Sequence, residues 1–128
     1  MNGGLTVQQS AQKTGLSVHT IRYYERVGLI PSVPRAGNGH RRYSEDDIGW
    51  IEFVKCLRST GMPISEVQRY VKLQMRRDSS FGGRLALLAG HRERIKGKIR
   101  ELNGFLKKIE WKIEYYQGLE ARGGRTAG

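Results

Sequence analysis

The chain has 128 residues and a formal net charge of +11 at pH 7, with a sequence pI near 10.2. This length allows one modest core, and the excess of positive charge indicates a polyanionic partner, either nucleic acid or an acidic membrane surface. The longest apolar run, LALLAG, is too short to span a bilayer, and the N-terminus lacks the pattern of a signal peptide. The single cysteine, Cys56, excludes an internal disulfide framework and a multi-cysteine zinc site, so we expect a cytoplasmic protein without a metal or cofactor.

Start and stop signals divide the first part of the chain into four short helices. The candidate N-caps are Thr6 and Ser65, each with a glutamine at capping-box spacing (Gln9 and Gln68), together with Ser17 and Ser44. The candidate stops are Gly15, Gly28 and Gly61. These signals predict helices over residues 6–14, 17–27, 44–60 and 65–76.

The segment between the second and third predicted helices, IPSVPRAGNGHRRY, is unsuited to a helix. Its two prolines oppose helix formation, and the G-N-G run favours a tight turn. We therefore predict a small β-hairpin, or wing, in this segment.

The first two helices have the spacing of a helix-turn-helix motif. Ala11 lies four residues before Gly15, which allows close approach of the helices and a turn between them. The apolar residues that would pack the second helix across the first are Leu16, Val18, Ile21 and Tyr24. This pattern alone is a weak signal, and it gains weight from the predicted wing beside it.

The stretch TIRYYERVGL, residues 20–29, suggests what the second helix contacts. Ile21 and Tyr24 take the inward face, which leaves Arg22 and Tyr23 directed outward to reach phosphate oxygens. The wing adds a cationic patch with an aromatic neighbour: His40, Arg41, Arg42 and Tyr43. For any single arginine, pairing with a glutamate or simple solvation is an equal alternative, but for the whole cluster we favour DNA contact.

The stretches LTVQQSAQKTGLSVHTIRYYERVGLIP, NGHRRYSEDDI and LRSTGMPISEV resemble the DNA-binding domain of the MerR family of bacterial transcription regulators, over about residues 5–75. The resemblance implies a winged helix-turn-helix whose second helix enters the major groove. Val18 and His19 fall where contacts to base edges are expected, although His19 could equally be a capping or solvent residue. The predicted DNA-binding residues are Val18, His19, Arg22, Tyr23, Tyr24, Arg35, His40, Arg41, Arg42 and Tyr43.

The last third of the chain has a heptad pattern sustained over more than four heptads and interrupted only by Arg92. Such a stripe is too long to be buried against so small a domain, which predicts a homodimer; the alternative is an intramolecular hairpin with the earlier helices. The predicted interface residues are Leu85, Leu88, Ile95, Ile99, Leu102, Leu106, Ile109, Ile113 and Tyr116. The family resemblance implies that the two helices run antiparallel.

Trp111 and Tyr115 lie off this seam and one turn apart. We expect them to pack near Trp50 or the third helix of the second protomer. An effector pocket at that junction is the alternative.

The sequence offers one candidate for sensing, Cys56, with two open interpretations. It is either a small buried apolar residue of the third helix or, as its resemblance to the aldehyde- and electrophile-responsive branch of the family implies, a reactive sensor thiol. The nearby helix C-terminus opposes a thiolate, while Lys55 and Arg58 would favour one if their charges reach the sulfur. Because no thiolate pair or histidine cluster accompanies it, we expect no soft-metal site.

These observations predict an all-α fold with a small β wing. A winged helix-turn-helix DNA-binding domain is expected over residues 1–77, a dimerisation helix over residues 78–120 and a flexible tail over residues 121–128, and the family resemblance implies that the dimerisation helices form an antiparallel coiled coil. The family resemblance implies a stress-response regulator that distorts a pseudo-palindromic promoter spacer in double-stranded DNA and reaches RNA polymerase only through the promoter.

Three other classes of function are weighed against this one. An architectural or excisionase-like DNA-binding protein without an effector is the leading alternative. A membrane-surface protein would bind anionic vesicles without competition from DNA. A cysteine-dependent enzyme is discounted because His19, His40 and His91 fall on separate elements and none is placed as a base for Cys56.

Overall fold

The computed structural model describes residues 4–31, 42–76 and 81–123 of the chain. The helices in these ranges are α1 (Val7–Thr14), α2 (Val18–Arg26), α3 (Glu45–Ser59), α4 (Ile64–Met75) and α5 (Gly82–Ala121). Each of the four helices predicted in the first part of the chain is confirmed to within one residue at either end. None of the helices in the described ranges combines the length and the hydropathy needed to cross a membrane.

Side-chain caps begin three of these helices as the sequence predicts. Thr6 and Gln9 form a reciprocal capping box before α1, and the Ser17 side chain accepts a hydrogen bond from the backbone N–H of Thr20. Ser44 caps α3, in a second box with Asp47. These bonds satisfy backbone N–H groups that the first turn of a helix leaves without partners.

The capping box predicted for Ser65 and Gln68 is wrong. Helix α4 begins one residue earlier, after Pro63, and has no side-chain cap. The Gln68 amide instead donates to the carbonyl oxygen of Val27, which is 41 residues away in the chain. The Gln68 side chain therefore makes a tertiary hydrogen bond instead of the capping bond that the local sequence pattern predicts.

Glycines end α2 and α3 in the same way. Gly28 and Gly61 have φ values of +79° and +97°, in the left-handed region where a residue with a Cβ is strained. In each case the residue after the glycine, Leu29 or Met62, donates its N–H back to the last turn of the helix and has a side chain that is 0% exposed. This Schellman arrangement reverses the chain while burying an apolar side chain.

The core of the N-terminal part lies among the first four helices. Helix α1 contacts α2 and α3, and α3 contacts α4. The buried apolar residues are Ile21, Tyr24, Leu29, Ile30, Tyr43, Ile48, Ile51, Val54, Leu57, Met62, Val67 and Val71. Ala11 and Leu16 pack against this cluster, as expected for two helices that cross closely in a helix-turn-helix.

One short β contact joins the N-terminal segment to the segment just before α3. Leu5 and Tyr43 form an antiparallel bridge with two backbone hydrogen bonds of 2.8 Å. The tip of the predicted wing, residues 32–41, lies outside the described residues.

The chain separates into two compact units, Met1–Leu88 and Ala89–Gly128. The domain boundary predicted after residue 77 stays a prediction. The second unit contains most of the 40-residue helix α5, whose large apolar side chains are mainly exposed.

Candidate nucleic-acid interface

Helix α2 presents a buried apolar face and an exposed cationic face. Ile21 is 0% exposed and Tyr24 is 7% exposed, whereas the side chains of His19, Arg22 and Arg26 are open to solvent. The three exposed residues are three and four positions apart and therefore share one side of the helix. A basic face of this kind on the second helix of a helix-turn-helix is the surface that enters a DNA groove in that motif.

Arg26 is absent from the predicted set of contact residues, although its spacing from Arg22 could have identified it. Its guanidinium carbon lies 5.5 Å from the centroid of the Tyr23 ring, a cation–π contact. Tyr23 and Val18 are half-buried at the edge of this face. The arrangement gives α2 three polar groups and a partly exposed aromatic ring on its open side.

Tyr24 and Tyr43 are core residues and offer no side-chain surface to DNA. For Tyr43 the expectation of an aromatic neighbour to the phosphate backbone is wrong, because pairing with Leu5 turns its side chain into the core, where it is 0% exposed. Burial of Tyr24 raises the pKa of its phenol above the ordinary value of 10.0, while the positive charge of Arg58 acts in the opposite direction. Both tyrosines are part of the buried core of the N-terminal part.

The remaining predicted contact residues belong to the wing. Arg42 is half-buried at the start of the second described range. Arg35, His40 and Arg41 lie outside the described residues, so their role stays a prediction.

The ends of α1 and α2 are held by side chains from the helices behind them. Lys55 of α3 donates from Nζ to the carbonyl oxygen of Thr14 at 2.8 Å, which places a cation at the C-terminus of α1. Trp50 of α3 donates from Nε1 to the carbonyl oxygen of Leu29 at 3.1 Å. These bonds tie the helix-turn-helix to α3 through its backbone.

Cys56 lies on the exposed side of α3, so its interpretation as a buried apolar residue is wrong. The two neighbouring cations are directed to other groups: Lys55 to Thr14, and Arg58 to the carbonyl oxygen of Met62 at 2.7 Å. In the described ranges no three His, Cys, Asp or Glu side chains are grouped so that they could hold a metal ion.

Most residues of the predicted dimer seam are exposed in the single chain. The exposed seam residues are Leu85 (65%), Ile99 (51%), Leu102 (63%), Leu106 (49%), Ile109 (58%), Ile113 (49%) and Tyr116 (56%). Leu88 and Ile95 are half-buried. A stripe of apolar side chains left at about half exposure or more is typical of an interaction surface.

Two further features lie beside the seam. Within the first unit, an open, mainly apolar cleft of about 340 Å³ is lined by Tyr70, Phe81 and Arg84 together with the seam residues Leu85 and Leu88. Within the second unit, the exposed rings of Trp111 and Tyr115 stack at 5.6 Å with an interplanar angle of 10°. Lys112 lies over both rings, with its Nζ 5.5 and 5.9 Å from their centroids.

These features define a helix-turn-helix regulator: α2 carries an exposed basic face, Ser17 caps its start, and the other helices of the N-terminal part form the core with it. Comparison with known proteins gives the family. Residues 5–74 match the MerR HTH family regulatory proteins, and residues 48–111 match the family described as "MerR, DNA binding". The chain belongs to the MerR family and is a MerR-type transcriptional regulator.

Individual relatives agree with this assignment. The chain is 33% identical over 118 residues to an uncharacterized HTH-type transcriptional regulator of Haemophilus influenzae, covering 92% of this chain and 87% of that one. It is 44% identical over 91 residues to the HTH-type transcriptional regulator AdhR of Bacillus subtilis, covering 71% of this chain and 65% of AdhR. Its structure is similar to that of HiNmlR, a MerR family regulator lacking the sensor domain and bound to promoter DNA, with a TM-score of 0.82, 31% identity and coverage of 94% and 96% of the two chains.

Proposed function

We propose that this regulator binds double-stranded promoter DNA as a homodimer, with α2 of each protomer in a major groove. The observation that carries the proposal is the face of α2, where His19, Arg22 and Arg26 are exposed while Ile21 and Tyr24 anchor the opposite side. The similarity to HiNmlR, which is bound to promoter DNA, supports the same use of this surface. The predicted wing residues Arg35, His40 and Arg41 add contacts to the phosphate backbone in this proposal.

The partner of the exposed seam on α5 is a second copy of the chain. The seam is a heptad stripe, and a helix that leaves Leu102 and Ile109 63% and 58% exposed would be poorly stabilised alone. In the antiparallel arrangement that the family resemblance implies, the C-terminal end of α5 reaches the DNA-binding domain of the other protomer. The exposed pair Trp111 and Tyr115 then packs against α3 of that domain.

The proposed action on transcription follows from this geometry. The DNA-binding domains of the two protomers, held at a fixed separation, bind a pseudo-palindromic site in a promoter spacer and distort it. The regulator thereby acts on RNA polymerase through the shape of the promoter. Distortion of this kind costs several kcal/mol, and phosphate contacts offset that cost. An effector then needs only to shift the balance between two states of the complex.

The signal in this proposal is an aldehyde or another thiol-reactive electrophile, and its target is Cys56. The thiol is exposed on α3, where a modifying reagent can reach it. An adduct there changes the surface against which the second protomer packs. The resemblance of the third-helix cysteine to that of the electrophile-responsive branch supports the same role.

The experiment that tests DNA binding and signal together is footprinting of the purified protein on its own upstream region, with and without a small aldehyde. We expect a protected near-palindrome inside a promoter spacer and a changed cleavage pattern in its centre when the aldehyde is added. Protection only outside promoter spacers would favour an architectural DNA-binding protein instead.

Cys56→Ala is the matched variant for the signal. We expect it to bind the same site with unchanged affinity and to lose the response to the aldehyde. An undiminished response in Cys56→Ala would exclude this thiol as the sensor and leave the DNA-binding proposal standing.

A further inference from the structure

Two side chains from different helices converge on the turn that ends α2. Gln68 of α4 donates from Nε2 to the carbonyl oxygen of Val27 at 2.7 Å, and Trp50 of α3 donates from Nε1 to the carbonyl oxygen of Leu29 at 3.1 Å. The donors are 41 and 21 residues away from these carbonyls in the chain. The turn is thus fixed by α3 and α4 as well as by its own backbone hydrogen bonds.

The two carbonyls belong to the point where the chain leaves α2. Val27 is the C-cap of the helix, and Gly28 and Leu29 return their N–H groups to its last turn. The carbonyl of the C-cap residue Val27 has no partner within the helix, and the donor from α4 satisfies it; the carbonyl of Leu29 lies two residues further on and is satisfied by the donor from α3. Trp50 also lies beside Ile30 and Pro31, the next two residues of the chain, in a shallow depression at this point.

The indole ring is itself held in place by aromatic packing. Its centroid lies 5.9 Å from that of Tyr70, with an interplanar angle of 29°, and Tyr70 also packs against Phe53 at 5.8 Å. The position of the indole N–H therefore follows the packing of α3 on α4. Phe53 is part of the same aromatic group, but its side chain has no hydrogen-bond donor to offer the turn, which makes it a useful comparison.

We propose that Trp50 and Gln68 are positioning residues that set the orientation of α2 on α3 and α4 and thereby the DNA affinity of the protein. This inference rests on the proposed DNA binding by α2. A shift of its C-terminal end moves Arg22 and Arg26 relative to the phosphates, and charge-assisted hydrogen bonds weaken steeply with poor distance and angle. Neither Trp50 nor Gln68 touches DNA in this account; both act through the backbone of the turn.

The test uses Trp50→Phe, which keeps an aromatic ring but removes the donor, and Gln68→Met, which keeps the length of the side chain but removes its amide. We expect each variant to bind the footprinted duplex about three- to tenfold more weakly, as for the loss of one hydrogen bond. Because both bonds hold one turn, the DNA affinity of the double variant should lie within about twofold of that of the single variant that binds DNA more weakly.

Hydrogen exchange in the absence of DNA separates positioning from a general loss of stability. We expect faster exchange in a peptide covering residues 24–31 of both variants, with exchange in α5 unchanged. Phe53→Leu is the matched control, since it removes the ring that packs on Tyr70 but leaves both donors and the contact between Trp50 and Tyr70. It should keep wild-type exchange at residues 24–31 and an affinity within about twofold of wild type.

The outcomes are distinguishable. Wild-type affinity and wild-type exchange in folded Gln68→Met and Trp50→Phe would overturn the inference while the proposed function stands. Equal losses of affinity in Phe53→Leu and the two donor variants, in proportion to their melting temperatures, would also overturn it. If Trp50→Phe does not fold, Gln68→Met alone tests the inference. Failure of the wild-type protein to bind DNA would instead reject the proposed function.

Discussion

At the scale of single residues, two adjacent tyrosines have opposite surroundings. Tyr24 is 7% exposed in the core, while Tyr23 is half-buried beside the guanidinium of Arg26. The helical repeat of 3.6 residues explains the difference, because neighbours along a helix point about 100° apart. One tyrosine therefore stabilises the fold and the other borders the exposed basic face of α2.

The burial of Tyr24 predicts a pH dependence of stability. Its pKa is raised above 10.0 in the folded protein, so the folded state holds the phenolic proton more tightly than the unfolded chain does. The resulting stabilisation is fully present at pH values below the ordinary tyrosine pKa of 10.0 and is lost as the pH rises through the raised pKa. Urea unfolding across alkaline pH should show a smaller loss of stability for Tyr24→Phe than for wild type.

Two residues of the exposed face of α2 should have different effects on DNA binding. Arg22→Ala removes a proposed phosphate contact, so it should weaken binding to all sequences and lower the salt dependence by about one counterion per protomer. His19→Ala should instead change which sequences are preferred. Anisotropy titrations over a salt series and selection from randomised duplexes measure the two effects, with Lys107→Ala on α5 as the control.

At the scale of elements, α5 is a helix of low intrinsic stability. Glycines recur along it at seven-residue spacing, at positions 90, 97, 104 and 118, with Trp111 in the same series. Each exposed glycine inside a helix costs about 0.5–1 kcal/mol relative to alanine. A helix with this composition depends on packing of its apolar seam, which is consistent with the proposed dimer.

Gly104 and Gly28 form a matched pair, because an added Cβ meets nothing within 4 Å at either position. Gly104→Ala should raise the free energy of unfolding by about 0.5–1 kcal/mol. Gly28→Ala should lower it by about 1 kcal/mol or more, because φ is +79° there. Chemical denaturation measures both changes, and a loss of stability in Gly104→Ala would mean that this outer face of α5 is itself in a contact.

At the scale of the whole molecule, charge and apolar surface have separate roles. The net charge of +11 favours a polyanion, while the exposed seam residues of α5 favour a second copy of the chain. Joining two DNA-binding units makes the second binding event intramolecular, which raises affinity without new contacts.

Leu102→Glu should therefore weaken both dimerisation and DNA binding. We expect it to sediment as a monomer at micromolar concentration and to bind the full palindrome at least about 100-fold more weakly, because the linkage between half-sites is lost. Gly104→Glu places the same charge on the opposite side of the helix and should remain dimeric. A dimeric Leu102→Glu would contradict the proposed seam.

Much of this protein was determined by local sequence. The bounds of α1 to α3 follow from side-chain caps, glycine stops and apolar spacing, all of which act within about four residues of the chain, whereas α4 begins after Pro63 without a side-chain cap. The inward face of α2 at Ile21 and Tyr24 follows from the same periodicity. These features could be predicted because their energetics depend on near neighbours.

The burial or hydrogen bonding of Tyr43, Gln68 and Cys56 was decided only by the tertiary structure. Tyr43 is buried because its backbone pairs with Leu5, and Gln68 leaves the predicted cap because a carbonyl 41 residues away accepts its hydrogen bond. The exposure of Cys56 likewise depends on which side of α3 the core occupies. The physical reason is that burial and side-chain hydrogen bonds are set by groups distant in the chain, and their approach is fixed only when the helices pack together.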